Sequence, residues 1–94
     1  MKNYHGENSI LQGMSTIDRL RRHGAEIYYD GIYQEVNSFI WDTIKDNCIR
    51  MGANAISYNL RLPEVDETLS IAIWADGHVD VGSEDAVLAC MNQF

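Results

Sequence analysis

The hydrophobic positions of this chain switch repeatedly between two spacings, one of about 3.6 residues and one of 2, and the switches mark the elements. Ile10, Leu11, Met14, Ile17 and Leu20 recur at helical spacing. The helix they predict starts at Ser9 or at Ser15. Ser15-Thr16-Ile17-Asp18 fits a capping box, and Gly13 favours a break before it. The helix ends at Arg21-Arg22-His23, followed by Gly24, so the only basic cluster is explained by cations opposing a negative helix end. Ala25 to Tyr29 reads as a short strand, broken by Asp30-Gly31. From Ile32 the apolar positions Ile32, Tyr33, Val36, Phe39, Ile40, Ile44, Cys48 and Met51 fall on one helical stripe, predicting a long helix over 32–51. Asp42 with Lys45 and Asp46 with Arg50 are favourable pairs along it.

Gly52 closes that helix in a left-handed conformation, and the small residues Ala53 and Ala55 suit a backbone returning close to it. Ile56, Tyr58, Leu60 and Leu62 then alternate with Ser57, Asn59 and Arg61, the pattern of a strand with one buried face. Pro63 to Glu67 reads as a connection, and Leu69, Ile71, Ile73 and Ala75 alternate again. Asp76-Gly77 signals a hairpin returning through Val79 and Val81. Ser83 caps a C-terminal helix whose first turn holds Glu84 and Asp85 and whose stripe is Val87, Leu88, Met91 and Phe94.

Two registers remain open at Asp76-Gly77. A two-residue turn pairs Trp74 with Val79 and puts Trp74, Val79 and Val81 on one face. A three-residue loop instead puts Val79 and Val81 beside Ala75 and Ile73. One step of register exchanges the faces, so only one can hold. In the first case Trp74, Val79 and Val81 form an exposed apolar patch suited to self-association. Self-association could also use a free sheet edge, and the alternative to an exposed patch is a helix covering Trp74.

The elements add up to an α+β domain: a small three- to four-stranded, mainly antiparallel sheet with one long and two shorter helices, the helices packed mainly on one face. Ninety-four residues make one domain, 1–94, with residues 1–8 expected as a flexible N-terminal tail. A chain this short buries only about 60–65% of its unfolded surface, so its core is thin. No apolar run reaches the length of a membrane span, and the polar start lacks the apolar stretch of a signal peptide, which points to a cytoplasmic protein. Cys48 and Cys90 are too few for a disulfide scaffold and read as buried thiols on helix faces.

Charge placement adds more than net charge does. Residues 1–24 carry four Lys or Arg against two carboxylates, whereas residues 25–94 carry three against twelve. After Arg61 there is no Lys or Arg, and that segment holds Glu64, Asp66, Glu67, Asp76, Asp80, Glu84 and Asp85. Direct binding to nucleic acid needs clustered cations and is disfavoured. A basic protein surface is the partner these seven acids would suit.

Candidate chemistry is sparse. Asp76, His78 and Asp80 alternate and could face one side as metal ligands, but Asp76 is accounted for by the turn and no second His or Cys lies near. His5 and His23 are isolated, and no paired Cys or His spacing supports zinc. No nucleophile motif, phosphate-binding loop or dinucleotide fingerprint is present, so neither an enzyme nor a cofactor is expected.

The run Met51-Gly52-Ala53-Asn54-Ala55-Ile56, followed by two strands and Ala75-Asp76-Gly77-His78-Val79-Asp80-Val81, resembles the YbjQ-like family, described as heavy-metal-binding domains. The likeness covers residues 51–81. It implies the helix-to-hairpin joint and small α+β subunits that assemble into homo-oligomeric rings. The family's metal label does not carry over, because no ligand set maps onto matching positions. The N-terminal half departs from the family pattern, and the helix after Ser83 is additional.

Two functions follow as expectations. The first is a small acidic, non-catalytic binding protein acting by occupancy, similar in size and charge to inhibitors, phage-borne ones among them, that block basic nucleic-acid-handling proteins. The second is a homo-oligomeric small-ligand or metal-binding module of the YbjQ-like kind.

Overall fold

The computed structural model describes residues 17–93. The start of the first helix and the expected tail at 1–8 lie outside them. The elements run α1 (Ile17–Arg22), β1 (Glu26–Tyr29), β2 (Ile32–Glu35), α2 (Ser38–Met51), β3 (Ala55–Arg61), β4 (Leu69–Trp74), β5 (Val79–Gly82) and α3 (Glu84–Met91). The five strands form one antiparallel sheet in the order β2-β1-β3-β4-β5. The architecture is α+β as expected, with five strands in place of three or four.

The extra strand comes from Asp30-Gly31. Both residues have positive φ, 57° and 88°, the backbone of a two-residue hairpin turn. Tyr29 therefore pairs with Ile32, and β2 folds back on β1 as far as Glu26 with Glu35. The helix expected from Ile32 begins instead at Ser38. Its cap is Asn37, whose Oδ1 accepts from the Ile40 N–H at 2.9 Å. The shorter helix buries Ile40, Trp41, Ile44 and Cys48, while Phe39 faces out at 77% exposure. Of the expected pairs, Asp42 lies 3.6 Å from Lys45, and Arg50 donates to Asn47 rather than reaching Asp46.

The far end of α2 matches expectation. Gly52 has φ 70°, and the N–H groups of Gly52 and Ala53 return to the carbonyls of Ile49 and Cys48. This pairing satisfies carbonyls that a helix end otherwise leaves open.

The β4–β5 hairpin takes the three-residue register. Ile73 pairs with Val79 and Ile71 with Val81, and the Trp74 N–H donates to the His78 carbonyl across Ala75-Asp76-Gly77. Both valines therefore join the face that carries Leu69, Ile71 and Ile73. Trp74 points the other way.

That register gives the sheet two unlike faces. On the first, Ile27, Leu60, Leu69, Ile71, Ile73, Val79 and Val81 pack with Leu20 of α1 and with Ile40, Trp41 and Ile44 of α2. On the second, α3 lies over Ala72 and Trp74 through Val87, with Ala55, Cys90 and Met91 at the margin. The helices thus occupy both faces, which corrects the expectation that they share one. Burying both sides of β4 explains why all six of its residues are buried.

Candidate functional site

Helix α3 is short and lies over β4 and β5. On the second face, β3 presents Ser57 and Asn59, whose register partners are Ala72 and Ser70, and β1 presents Tyr28. Between these strands and α3 runs a groove of about 270 Å³. Its floor is Ser57, Asn59 and Ser70, its near wall is Tyr28, and its far wall is Glu84, Val87 and Leu88. Tyr28 and Leu88 are each about two-fifths exposed, at 43% and 41%.

Ser70 is the floor residue of most interest. It is only 7% exposed, the one buried polar residue among those described. Two polar groups nearby are engaged elsewhere. The Ser83 hydroxyl accepts from the Ala86 N–H at 3.1 Å as the cap of α3. Beyond Tyr28, Arg61 is held by Glu26 at 2.7 Å and stacks over Tyr33 at 4.1 Å, while Tyr28 and Tyr33 meet edge to face. The cation on this face is therefore already paired.

The seven acids do not form one patch. Antiparallel pairing puts the β3–β4 connection and the start of α3 at the same end of the sheet, because Leu69 opens β4 and Gly82 closes β5 opposite Ser70. Glu64, Asp66, Glu67, Glu84 and Asp85 belong to that end and are exposed. Glu64 lies 2.8 Å from His23 Nδ1, across 41 residues of sequence, so His23 is not isolated.

Asp76 and Asp80 belong to the opposite end and are engaged locally. Asp80 accepts from the Trp74 indole N–H at 2.9 Å and is half-buried. Asp76 accepts from the His78 N–H at 3.0 Å and lies 2.6 Å from His78 Nδ1. These contacts from the His78 backbone and ring hold the Asp76 carboxyl below its ordinary value. The His78 ring stacks on Trp74 with centroids 5.0 Å apart, and its Nε2 is 3.8 Å from Asp80. The alternation of Asp76, His78 and Asp80 thus serves a buttressed turn. Among the described residues no three His, Cys, Asp or Glu side chains converge as a metal-binding set.

The expected self-association patch is not formed. Trp74 is buried beneath α3 on one face, and Val79 and Val81 are buried in the core on the other. A slip of one residue in the hairpin is the physical reason. The thiols of Cys48 and Cys90 are both free. Burial raises the Cys48 thiol above its ordinary value, with the Ile56 N–H working weakly against it. Burial and then the Asp80 charge raise Cys90.

No family model, curated protein or solved structure matches the chain. Among the described residues no helix is long and apolar enough to cross a membrane.

Proposed function

We propose that this chain is a non-catalytic binding protein that acts by occupying a basic surface of a partner protein. The observation that carries the reading is the position of the groove. It opens on the half of the second sheet face that α3 leaves bare, with Glu84 on its wall, at the end of the sheet shared with Glu64, Asp66, Glu67 and Asp85. Short polar side chains on the floor offer hydrogen bonds, while Tyr28, Val87 and Leu88 offer apolar contact. Aromatic and apolar contact beside a charged rim is the composition of a protein interface. The negative field of a chain of net charge −7 would steer a cationic partner toward this end.

The mechanism is competition. The five acids would take up Lys and Arg of the partner that otherwise meet another anion, such as a nucleic acid backbone. A titration of the protein with oligo-arginine and with oligo-glutamate tests it. The reading expects binding of the cationic peptide alone, weakening as salt rises from low to physiological strength. It also expects a loss on combined substitution of Glu64, Glu67, Glu84 and Asp85 by Gln or Asn. Binding indifferent to both salt and substitution would contradict it.

A further inference from the structure

The turn between β4 and β5 gathers its polar groups around one imidazole. Trp74 and His78 flank the loop Ala75-Asp76-Gly77 and face each other across it, the Trp74 N–H donating to the His78 carbonyl. Residues so paired share a sheet face. Asp80 stands on that face too, because its register partner is Ala72. The Trp74 and His78 rings stack at 11° with centroids 5.0 Å apart. Each ring nitrogen of His78 then meets a carboxylate. Asp76 Oδ1 is 2.6 Å from Nδ1, and Asp80 Oδ2 is 3.8 Å from Nε2. That same Asp80 Oδ2 accepts from the Trp74 indole N–H at 2.9 Å.

Counting protons shows why the two contacts differ in length. A neutral imidazole has one N–H, and an ionised carboxylate can only accept. Asp76, at hydrogen-bond distance, takes that N–H at Nδ1. Nε2 is then an acceptor facing another acceptor, and 3.8 Å is too long for a hydrogen bond. One added proton makes both ring nitrogens donors, with Nε2–H aimed at a carboxylate oxygen about 1 Å beyond bonding distance. The half-exposed ring is open to solvent. Other groups around it do not compete for this role. Lys45 of α2 passes its stem beside Gly77 but sets its ammonium 3.6 Å from Asp42. Cys90 of α3 feels the Asp80 charge, which with the larger effect of burial raises its thiol and keeps it neutral. Asn54, beside the turn, carries no charge. Among the described residues no other cation forms an ion pair with Asp76 or Asp80.

We infer that His78 is a proton-operated clasp: on protonation its Nε2 closes onto Asp80, and the imidazolium bridges Asp76 in the turn to Asp80 in β5. The closed arrangement holds a hydrogen bond that only the protonated ring can make. That difference between the two arrangements is what allows a proton to shift the equilibrium between them. Histidine is the side chain whose charge ordinarily changes between about pH 5 and 8, which sets the range to search. Asp76 remains ionised there, since its contacts with the His78 backbone and ring hold its carboxyl below the ordinary value. The clasp reaches the second face through Trp74. Closing it makes Asp80 Oδ2 serve two donors, the imidazolium and the indole, and slides one stacked ring over the other. Trp74 packs with Val87, Cys90 and Met91 of α3, so the seat of that helix feels the charge of an exposed turn. The inference is independent of the acidic end and of the partner proposed above.

The test is a nuclear magnetic resonance titration of the full chain, labelled with nitrogen-15, from alkaline to mildly acidic pH at fixed salt. In the neutral form the His78 ring should carry its proton on Nδ1. On acidification the Trp74 indole proton should move upfield, as its acceptor is shared, with the midpoint of the His78 ring. The Trp41 indole, buried on the other face, should stay still. Asp80→Asn keeps an oxygen for the indole and removes the charge. The His78 ring should still titrate there while the Trp74 indole no longer follows it. His78→Gln should abolish the response at Trp74, and His23→Gln, at the opposite end of the sheet, should leave it intact. A neutral ring protonated on Nε2, or an indole that ignores the His78 midpoint, would overturn the clasp from the unaltered chain alone. An indole that follows the ring equally well in Asp80→Asn would overturn it too, since charge felt through the stack would then suffice.

Discussion

The two faces of this sheet are built to different standards of closure. The first carries fourteen buried residues from six of the eight elements and their connections, and two helices cover it. The second carries three, and one eight-residue helix covers only the half formed by β4 and β5. The first face spends the hydrophobic residues of a small chain on stability. The second keeps enough cover to hold Trp74 and Val87 and leaves Tyr28, Ser57 and Asn59 to solvent. A thin core favours such a division, because 94 residues do not supply apolar side chains for two full layers.

Mutation should separate the faces by size of effect. Ile71→Ala removes a side chain from the closed face and should destabilise by about 2–5 kcal/mol in urea unfolding, because little around it is free to collapse. Val87→Ala, equally buried but at the half-covered face, should cost about 1–2 kcal/mol. If Val87 proved the costlier of the two, the faces would not differ as described.

Trp74→Phe tests the link between the second face and the turn at its end. It keeps an aromatic ring and removes the indole N–H from half-buried Asp80, for an expected loss of about 1–2 kcal/mol. Replacing Asp80 with Asn as well should recover part of it, since the stranded charge is then gone. Asn37→Ala should cost about 1 kcal/mol by removing the cap of α2, measured in the same way.

The smallest effect is one of pH. The Cys48 thiol is raised in the folded chain by burial. Its neutral form therefore favours folding. The contribution is complete below the ordinary thiol value and is lost as pH climbs through that value toward the raised one. Unfolding free energy should fall over this alkaline interval, and Cys48→Ala should flatten the slope.

The sequence made some of this architecture legible and concealed the rest for identifiable reasons. The joint at Gly52, the alternation of β3 and β4, and the Ser83 cap are local patterns with one reading each, and they appear where expected. Strand β2 was hidden by coincidence. Ile32, Tyr33 and Val36 fall on the same helical spacing as Ile40 and Ile44, so a strand and a helix fused into one stripe. Asp30-Gly31 was the available signal, and it carries the same hairpin dipeptide as Asp76-Gly77. Yet the two identical dipeptides make different loops, of two residues and of three. At the second, the need to place Val79 and Val81 beside Ile71 and Ile73 decides the register, so patterning across the pair outweighs the turn.

The groove was not legible in the same way. Ser57, Asn59 and Ser70 are polar positions of ordinary strands in sequence, and Tyr28 and Glu84 lie far from them along the chain. Only the order β2-β1-β3-β4-β5 and the seating of α3 bring them together. The acidic segment after Arg61 was evident, but its division between two ends follows from hairpin geometry.

The most direct test of the half-open face as the contact surface is a map of backbone amide shifts on adding oligo-arginine. The account predicts the largest changes at Ser57, Asn59, Ser70 and Glu84, with α2 and the Asp76–His78 turn undisturbed. Changes centred on that turn or on the outer side of α2, with the groove silent, would contradict it.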